Sequence, residues 1–327
     1  MKSAIVINVS ERHYNLGVHK LADFLRGQGV EKVLIWNGDP KLAMPEDVDL
    51  VCLSVIFSWH APMAREIALR MKDHAEVWAG GPGLFALGKW WKNETGLESV
   101  RGLDPRFERQ RGDYRMTFAS RGCSVNCSFC IVPRLEGLEF TLDWDFRPAR
   151  ILCDNNLSAL PIDFQNHIIA RYVGTRTPLE DANSGFEPLS FDVETYRRWK
   201  PILRGPWRFA LDTTSELPQV ERMMAVLTEE KPRRKQVYVL IGNEPIAACY
   251  ARAQKVIEMG CEPFCQPLLP LNALARKQYK IAYDWTAEKL EDFARFYNRH
   301  VWRSIPLWEY RYVQGRPKSF TWEEVMG

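Results

Sequence analysis

Three cysteines, Cys123, Cys127 and Cys130, fall within eight residues directly after Gly122. Thiolates at this Cys-x3-Cys-x2-Cys spacing can face one iron–sulfur cube and ligate three of its four irons, which leaves the fourth open to a small molecule. Zinc sites of four ligands usually arrive as two separated Cys-x2-Cys pairs or with histidines at fixed spacing. No second pair and no nearby histidine follows Cys130, so zinc lacks a fourth ligand in the local sequence. A disulfide framework would leave one of the three thiols unpaired. Cluster ligation accounts for the spacing best.

The chain has 327 residues, enough for one large or two ordinary domains. Hydrophobic residues make up 46% and charged residues 26%, the proportions of a soluble globular protein. No apolar run is long enough to span a bilayer, and the start of the chain goes directly into a strand-like pattern without the features of a signal peptide. A cytoplasmic protein is expected, because a labile cluster needs a reducing compartment. The net charge of +3 is too small to argue for nucleic acid by itself.

The first ninety residues alternate strand and helix patterns. Residues 4–9, 32–36, 49–55 and 76–79 are apolar, β-branched runs, the third nearly continuous, as expected where both faces of a sheet are covered. Residues 16–29 read as a helix with Leu21, Phe24 and Leu25 on one face, and residues 60–73 are amphipathic. A turn is expected at residues 37–40. This rhythm predicts a parallel, Rossmann-like sheet. The loop after the first strand, residues 10–15, has no Gly-x-Gly-x-x-Gly, which argues against NAD or FAD. His13 in that loop reads as a solvated histidine rather than a ligand.

At the cysteine loop the chain resembles the radical S-adenosylmethionine (SAM) superfamily, whose signature is this spacing with an aromatic before the last cysteine, here Phe129. The four-strand segment before it, with loops at residues 54–59 and 79–83, is similar to the cobalamin-binding-type domain of one branch of that superfamily. Asp-x-His-x-x-Gly, which ligates cobalt in other cobalamin proteins, is absent, so the resemblance leaves cobalamin open and the sheet can serve as a scaffold. Residues 131–137 resemble the continuation of the motif in methylthiotransferases. The further N-terminal cluster domain of those enzymes is not evident, which weighs against sulfur insertion.

The resemblance implies an α/β chain in four parts. Residues 1–93 form the Rossmann-like, cobalamin-binding-type domain and 94–114 a basic, arginine-rich linker lying over the barrel. Residues 115–285 form a partial (β/α)6 radical SAM barrel, and 286–327 a C-terminal helix and aromatic tail. It also implies roles. The end of the second barrel strand reaches the amino group of SAM, a position filled here by Asp154, Asn155 and Asn156; an ordinary Asx-rich turn is the competing reading. Asn183 and Glu187 fall where relatives hold the ribose and carboxylate of SAM, and Gly242 where the backbone runs along the adenine. Asp212 ends a strand on the active side, or caps the helix beginning near Leu217. Cys153, Cys261 and Cys265 read as packed free thiols.

The function so implied is reductive cleavage of SAM at a [4Fe–4S] cluster. The resulting 5′-deoxyadenosyl radical takes hydrogen from a small-molecule or nucleoside substrate. The electron donor would be a carrier such as flavodoxin or ferredoxin. A cobalamin-dependent methyltransferase, a non-catalytic electron-transfer protein and a zinc-binding nucleic-acid module are the alternatives. The C-terminal aromatics and arginines, Trp302 to Lys318, suit base stacking and phosphate contact, or a tail that covers the barrel. The second use is the expected one, with nucleic acid left open as a partner.

Overall fold

The computed structural model describes residues 1–9, 13–37 and 47–327. The turn expected at residues 37–40 and the first part of the loop at 10–15 lie outside the described residues.

Four strands near the N-terminus, β1 (Ser3–Asn8), β2 (Lys32–Asn37), β3 (Leu50–Ser54) and β4 (Glu76–Gly80), form one parallel sheet in the order β2-β1-β3-β4. Alternation along each strand explains the continuous apolar runs. Ile5, Ile7, Val51 and Leu53 pack on one face with the helix Ala61–Met71 and Trp91. Ala4, Val6, Leu50 and Cys52 pack on the other with the helix Leu16–Gly27. Two buried faces leave no polar side, so the period-2 signal disappears from the sequence. Asn15 caps the first helix, its side chain accepting from the Val18 amide, and Gln28 and Gly29 close it.

A second series of parallel strands follows. The strands β5 (Met116–Thr117), β8 (Ile151–Leu152) and β9 (Asp181–Ala182) pair side by side, and β10 (Trp207–Leu211), β11 (Lys235–Ile241) and β12 (Glu262–Pro267) do the same. A parallel bridge from Leu179 to Leu203 joins the two groups at their amino ends. Past the end of β9, Phe186 N–H donates to the carbonyl of Arg208, near the start of β10, at 2.9 Å. The strands therefore lie in chain order, with helices between them such as Ile162–Thr175, Val193–Trp199 and Ile246–Glu258. One face of the series, including Leu152, Ala182, Phe209, Leu211, Val237 and Val239, packs with these helices into the largest core. Between β5 and β8 sits a two-residue antiparallel hairpin, β6 (Ser120–Arg121) with β7 (Thr141–Leu142), which carries the cysteine loop.

Residues 94–114, expected as a basic linker lying over the barrel, also pack on the N-terminal unit. Phe107 packs edge-on against Phe24 at 5.1 Å, on the helix Leu16–Gly27. Arg106 and Arg111 pair with Asp104 and Asp143. The segment is a wedge between the two strand systems, and most of its charge is locally satisfied.

At the C-terminus, Thr286 caps the helix Ala287–Asn298 by accepting from the Lys289 amide. The helix ends at Asn298, because His300 adopts a left-handed conformation (φ 57°) and a 3-10 turn Val301–Arg303 follows. Leu307, Tyr310, Phe320 and Val325 enter the large core. The tail thus covers the second strand series, as its aromatic content suggested. Among the described residues, no helix is long and apolar enough to cross a membrane.

Candidate functional site

The cysteine loop is held by a small polar lattice. Gly122 has φ +90°, and a Cβ there would lie 2.2 Å from the Glu139 carbonyl oxygen, so only glycine fits. The Gly122 amide donates to Glu136 Oε2 at 2.9 Å, and Asn155 Nδ2 reaches the same oxygen at 2.7 Å and the Gly122 carbonyl at 3.1 Å. Arg121 joins Glu136 at 3.3 Å and Glu108 at 2.9 Å, and its guanidinium lies 3.4 Å from the centroid of the Phe118 ring. Cys123 N–H donates to the Gly137 carbonyl at 3.3 Å. Two-residue strands supply few ladder bonds, so side chains fix this loop.

The three thiols are partly exposed and free. They share one neighbourhood: burial, followed by the charges of Asp212, Cys130, Cys123 and Glu187, pushes the Cys127 thiol up to about 11. Burial and then Cys123, Asp212 and Glu136 also raise Cys130, against a backbone hydrogen bond that lowers it. Among the described residues, no three His, Cys, Asp or Glu side chains close to single-ion coordination. One zinc with bonds of about 2.3 Å would need its sulfurs drawn together, whereas a cluster spreads its ligands over separate irons. Three partly exposed thiols on one loop are the kind of donor set that an iron–sulfur cluster takes.

The sequence-predicted residues separate into two groups. Asn156 joins the cysteines, with Nδ2 3.9 Å from Cys123 Sγ and Oδ1 accepting the Ala159 amide at 3.2 Å. Glu187 stands on the same side; burial and then Glu216 raise its carboxyl, while its Oε1 accepts from the Leu189 amide at 3.3 Å. Asp212 faces the thiols as well. Burial, then Glu216 and Glu187, lift it to about 7 against the pull of Arg252. The helix-capping alternative for Asp212 goes to Thr213, which forms a capping box with Glu216. That Thr-x-x-Glu pattern was readable in the sequence and frees the Asp212 side chain. Arg252, fully buried, donates to the Leu211 and Leu240 carbonyls at 2.8 Å each and pairs with Glu244, tying the ends of β10 and β11 together.

The other candidates have different positions. Asp154 is completely buried, accepting from the Ala119 amide at 2.9 Å and the Ser120 hydroxyl at 2.5 Å, which withdraws its carboxylate from any ligand. Asn155 spends its amide nitrogen on the loop lattice. Gly242 has φ +91°, and the space a side chain would take is filled by Leu290 at 3.0 Å, so packing accounts for this glycine. Phe129 lines a cavity of about 670 Å³ together with Phe85 and Leu268–Leu271. Asn183 is exposed and lines another cavity. Cys153, Cys261 and Cys265 are buried free thiols.

That other cavity, about 760 Å³, opens between the carboxyl edge of the N-terminal sheet and the second strand series. One wall contains Asn15, Ser54 and Gly81; the opposite wall contains Met116, Ile151, Cys153, Asn155 and Asn183, from the strand faces turned away from the large core. It therefore backs directly onto the residues that hold Gly122.

No family model matches the chain, and no curated protein matches it. Among solved structures, the chain is similar to a D-isomer-specific 2-hydroxyacid dehydrogenase from Lactobacillus delbrueckii ssp. bulgaricus in its NAD-complexed form. The two are 10% identical over 81% of this chain and 79% of that one, with a TM-score of 0.27, too low to carry an argument.

Proposed function

We propose that the chain is a radical SAM enzyme, with Cys123, Cys127 and Cys130 as the ligands of a [4Fe–4S] cluster and the six parallel strands as its partial (β/α)6 barrel. The observation that carries this reading is the three-thiol loop, presented near the carboxyl-side residues Asn156, Glu187 and Asp212. Parallel α/β folds concentrate their chemistry at that end.

What a bound cluster supplies is one-electron reduction of the SAM sulfonium, releasing methionine and a 5′-deoxyadenosyl radical that abstracts hydrogen from a substrate carbon. The chain's own residues orient and enclose. Glu136 and Asn155 fix the loop at Gly122, so the thiols point consistently. Asn156 stands beside Cys123 with its Nδ2 turned to the thiol as a donor, while its Oδ1 is held by the Ala159 amide. Glu187 and Asp212 add carboxylates of raised affinity for protons, which suits accepting hydrogen bonds from the methionine amino group or ribose hydroxyls.

Cobalamin does not enter this reading. The cobalt-ligating motif Asp-x-His-x-x-Gly is absent, and the cobalamin-dependent methyltransferase is kept as the alternative. An electron carrier of the flavodoxin or ferredoxin type remains part of the proposal.

The test uses protein purified without oxygen, reconstituted with iron and sulfide, and incubated with SAM and dithionite. The expected products are 5′-deoxyadenosine and methionine, with both lost in Cys127→Ala. A fully loaded cluster that cleaves no SAM, with or without candidate substrates, would assign the loop to electron transfer instead.

A further inference from the structure

The order β2-β1-β3-β4 reverses direction between β1 and β3. In open parallel sheets, ligands bind outside the carboxyl ends of the two strands at such a reversal. The cavity of about 760 Å³ lies there, its wall including Asn15 and Ser54, from the segments that follow β1 and end β3.

The charges in its wall leave a remainder. Asp104 pairs with Arg106; Glu108 pairs with Lys20 and Arg121; Glu136 pairs with Arg121. Arg115 also lines the cavity, and among the described residues no ion pair or side-chain hydrogen bond of its guanidinium is found. Among the described residues, every carboxylate of the wall is thus engaged while the Arg115 guanidinium is available. Arginine is suited to a carboxylate or phosphate because its fork donates two parallel hydrogen bonds.

An aromatic shelf stands in the same space. Phe57 lines the cavity, stacked on Trp59 at 4.4 Å and met edge-on by His13 at 5.9 Å, and Trp78 contributes a second ring to the wall. Asn15 and Ser54, also in the wall, are linked by a 2.9 Å hydrogen bond and add polar groups to it. A pocket with apolar walls and few directed polar groups selects for orientation as well as for size.

We propose that this cavity binds a small molecule made of a planar ring and one anionic group, carboxylate or phosphate, with Arg115 receiving the anion and Phe57 the ring. As the substrate of the cysteine-loop chemistry, this molecule rests on the function proposed above; as a ligand of the cavity, it does not.

The experiment therefore uses the full chain without SAM or reductant. Isothermal titration compares adenosine monophosphate with adenosine, and indole-3-acetate with indole. At least one anionic probe is expected to bind roughly tenfold tighter than its neutral counterpart. Arg115→Gln should erase that preference and Arg115→Lys retain part of it; Arg115 is exposed, so neither change disturbs a packed core. The nucleotide and indole arms separate phosphate from carboxylate recognition. Equal binding of charged and neutral probes, an unchanged preference in Arg115→Gln, or no binding by any probe would overturn the proposal. Because no cluster chemistry is involved, such a failure leaves SAM cleavage to stand or fall on its own assay.

Discussion

The N-terminal sheet and the first three strands of the second series reach the same parallel arrangement by different means. In the first, strands of five or six residues share long ladders, and both faces of the central strands β1 and β3 are sealed by apolar side chains. In the second, β5, β8 and β9 are two residues each, and their carboxyl ends are held by polar side chains. Arg208 illustrates the substitution: it pairs with Asp181 at 2.8 Å and also donates to Gln236 and to the Tyr238 hydroxyl, linking β9 to β10 and β11 across a gap in the backbone ladder. A sheet held by burial is tolerant at its surface. Strand ends held by individual hydrogen bonds place loops accurately, yet depend on each bond.

This contrast predicts where damage is global and where it is local. Trp91 is fully buried against the N-terminal sheet. Trp91→Ala is expected to cost about 3–5 kcal/mol, the usual range for emptying such a site, and to lower the denaturation midpoint of the whole unit. Gly122→Ala should cost less, roughly 1–3 kcal/mol for a strained left-handed residue, but with a different signature. The new Cβ would meet the Glu139 carbonyl, so the cysteine loop must move. Iron bound per chain after anaerobic reconstitution should fall steeply while the far-ultraviolet spectrum stays native. If Gly122→Ala loads iron normally, the loop does not depend on its lattice, and the distinction between the regions fails.

Glu136→Gln sharpens the same point at smaller amplitude. One carboxylate oxygen accepts from both the Gly122 amide and Asn155, while the other faces Arg121, in a side chain only 6% exposed. An amide can replace the first acceptor, but it then turns an N–H toward a guanidinium. The expected loss is about 1–2 kcal/mol, seen as faster hydrogen exchange confined to residues 120–142. Exchange rising equally in the N-terminal sheet would show that the two regions are not independent.

The legible part of the sequence was the part governed by burial. Continuous apolar runs disclosed the N-terminal strands, and periodicity disclosed the helix at Leu16–Gly27. The lattice around the cysteines was illegible for a physical reason. Its partners are separated by 14 residues for Gly122 with Glu136, by 19 for Asn155 with Glu136, and by 35 for Ala119 with Asp154. No local pattern marks such pairs, so Asp154 and Asn155 were indistinguishable from ligand-binding residues until their partners were visible. Gly242 shows the same limit, since its close neighbour Leu290 comes from a distant helix. Asp212 is the opposite case: the capping box at Thr213 and Glu216 was local and sufficient to release it.

The smallest effect has the opposite sign. Burial pushes the Asp154 carboxyl up to about 6 from an ordinary 3.8, even though the Ser120 hydroxyl and the Ala119 amide favour its charged form. The folded chain therefore binds this proton more tightly than the unfolded chain does. Between the two values, stability rises as pH falls. On lowering the pH from 7.5 to 5, this group alone should add about 1 kcal/mol. Asp154→Asn keeps an acceptor for the Ala119 amide and a donor for the Ser120 oxygen, so it should be at least as stable as wild type at pH 7.5 and lack that increment. Chemical denaturation of both proteins at the two pH values makes the comparison. A variant with the wild-type increment would mean that Asp154 is already protonated or is not the group responsible. A strongly destabilised variant would mean that the ionised carboxylate itself holds Ser120, and with it the base of the cysteine hairpin.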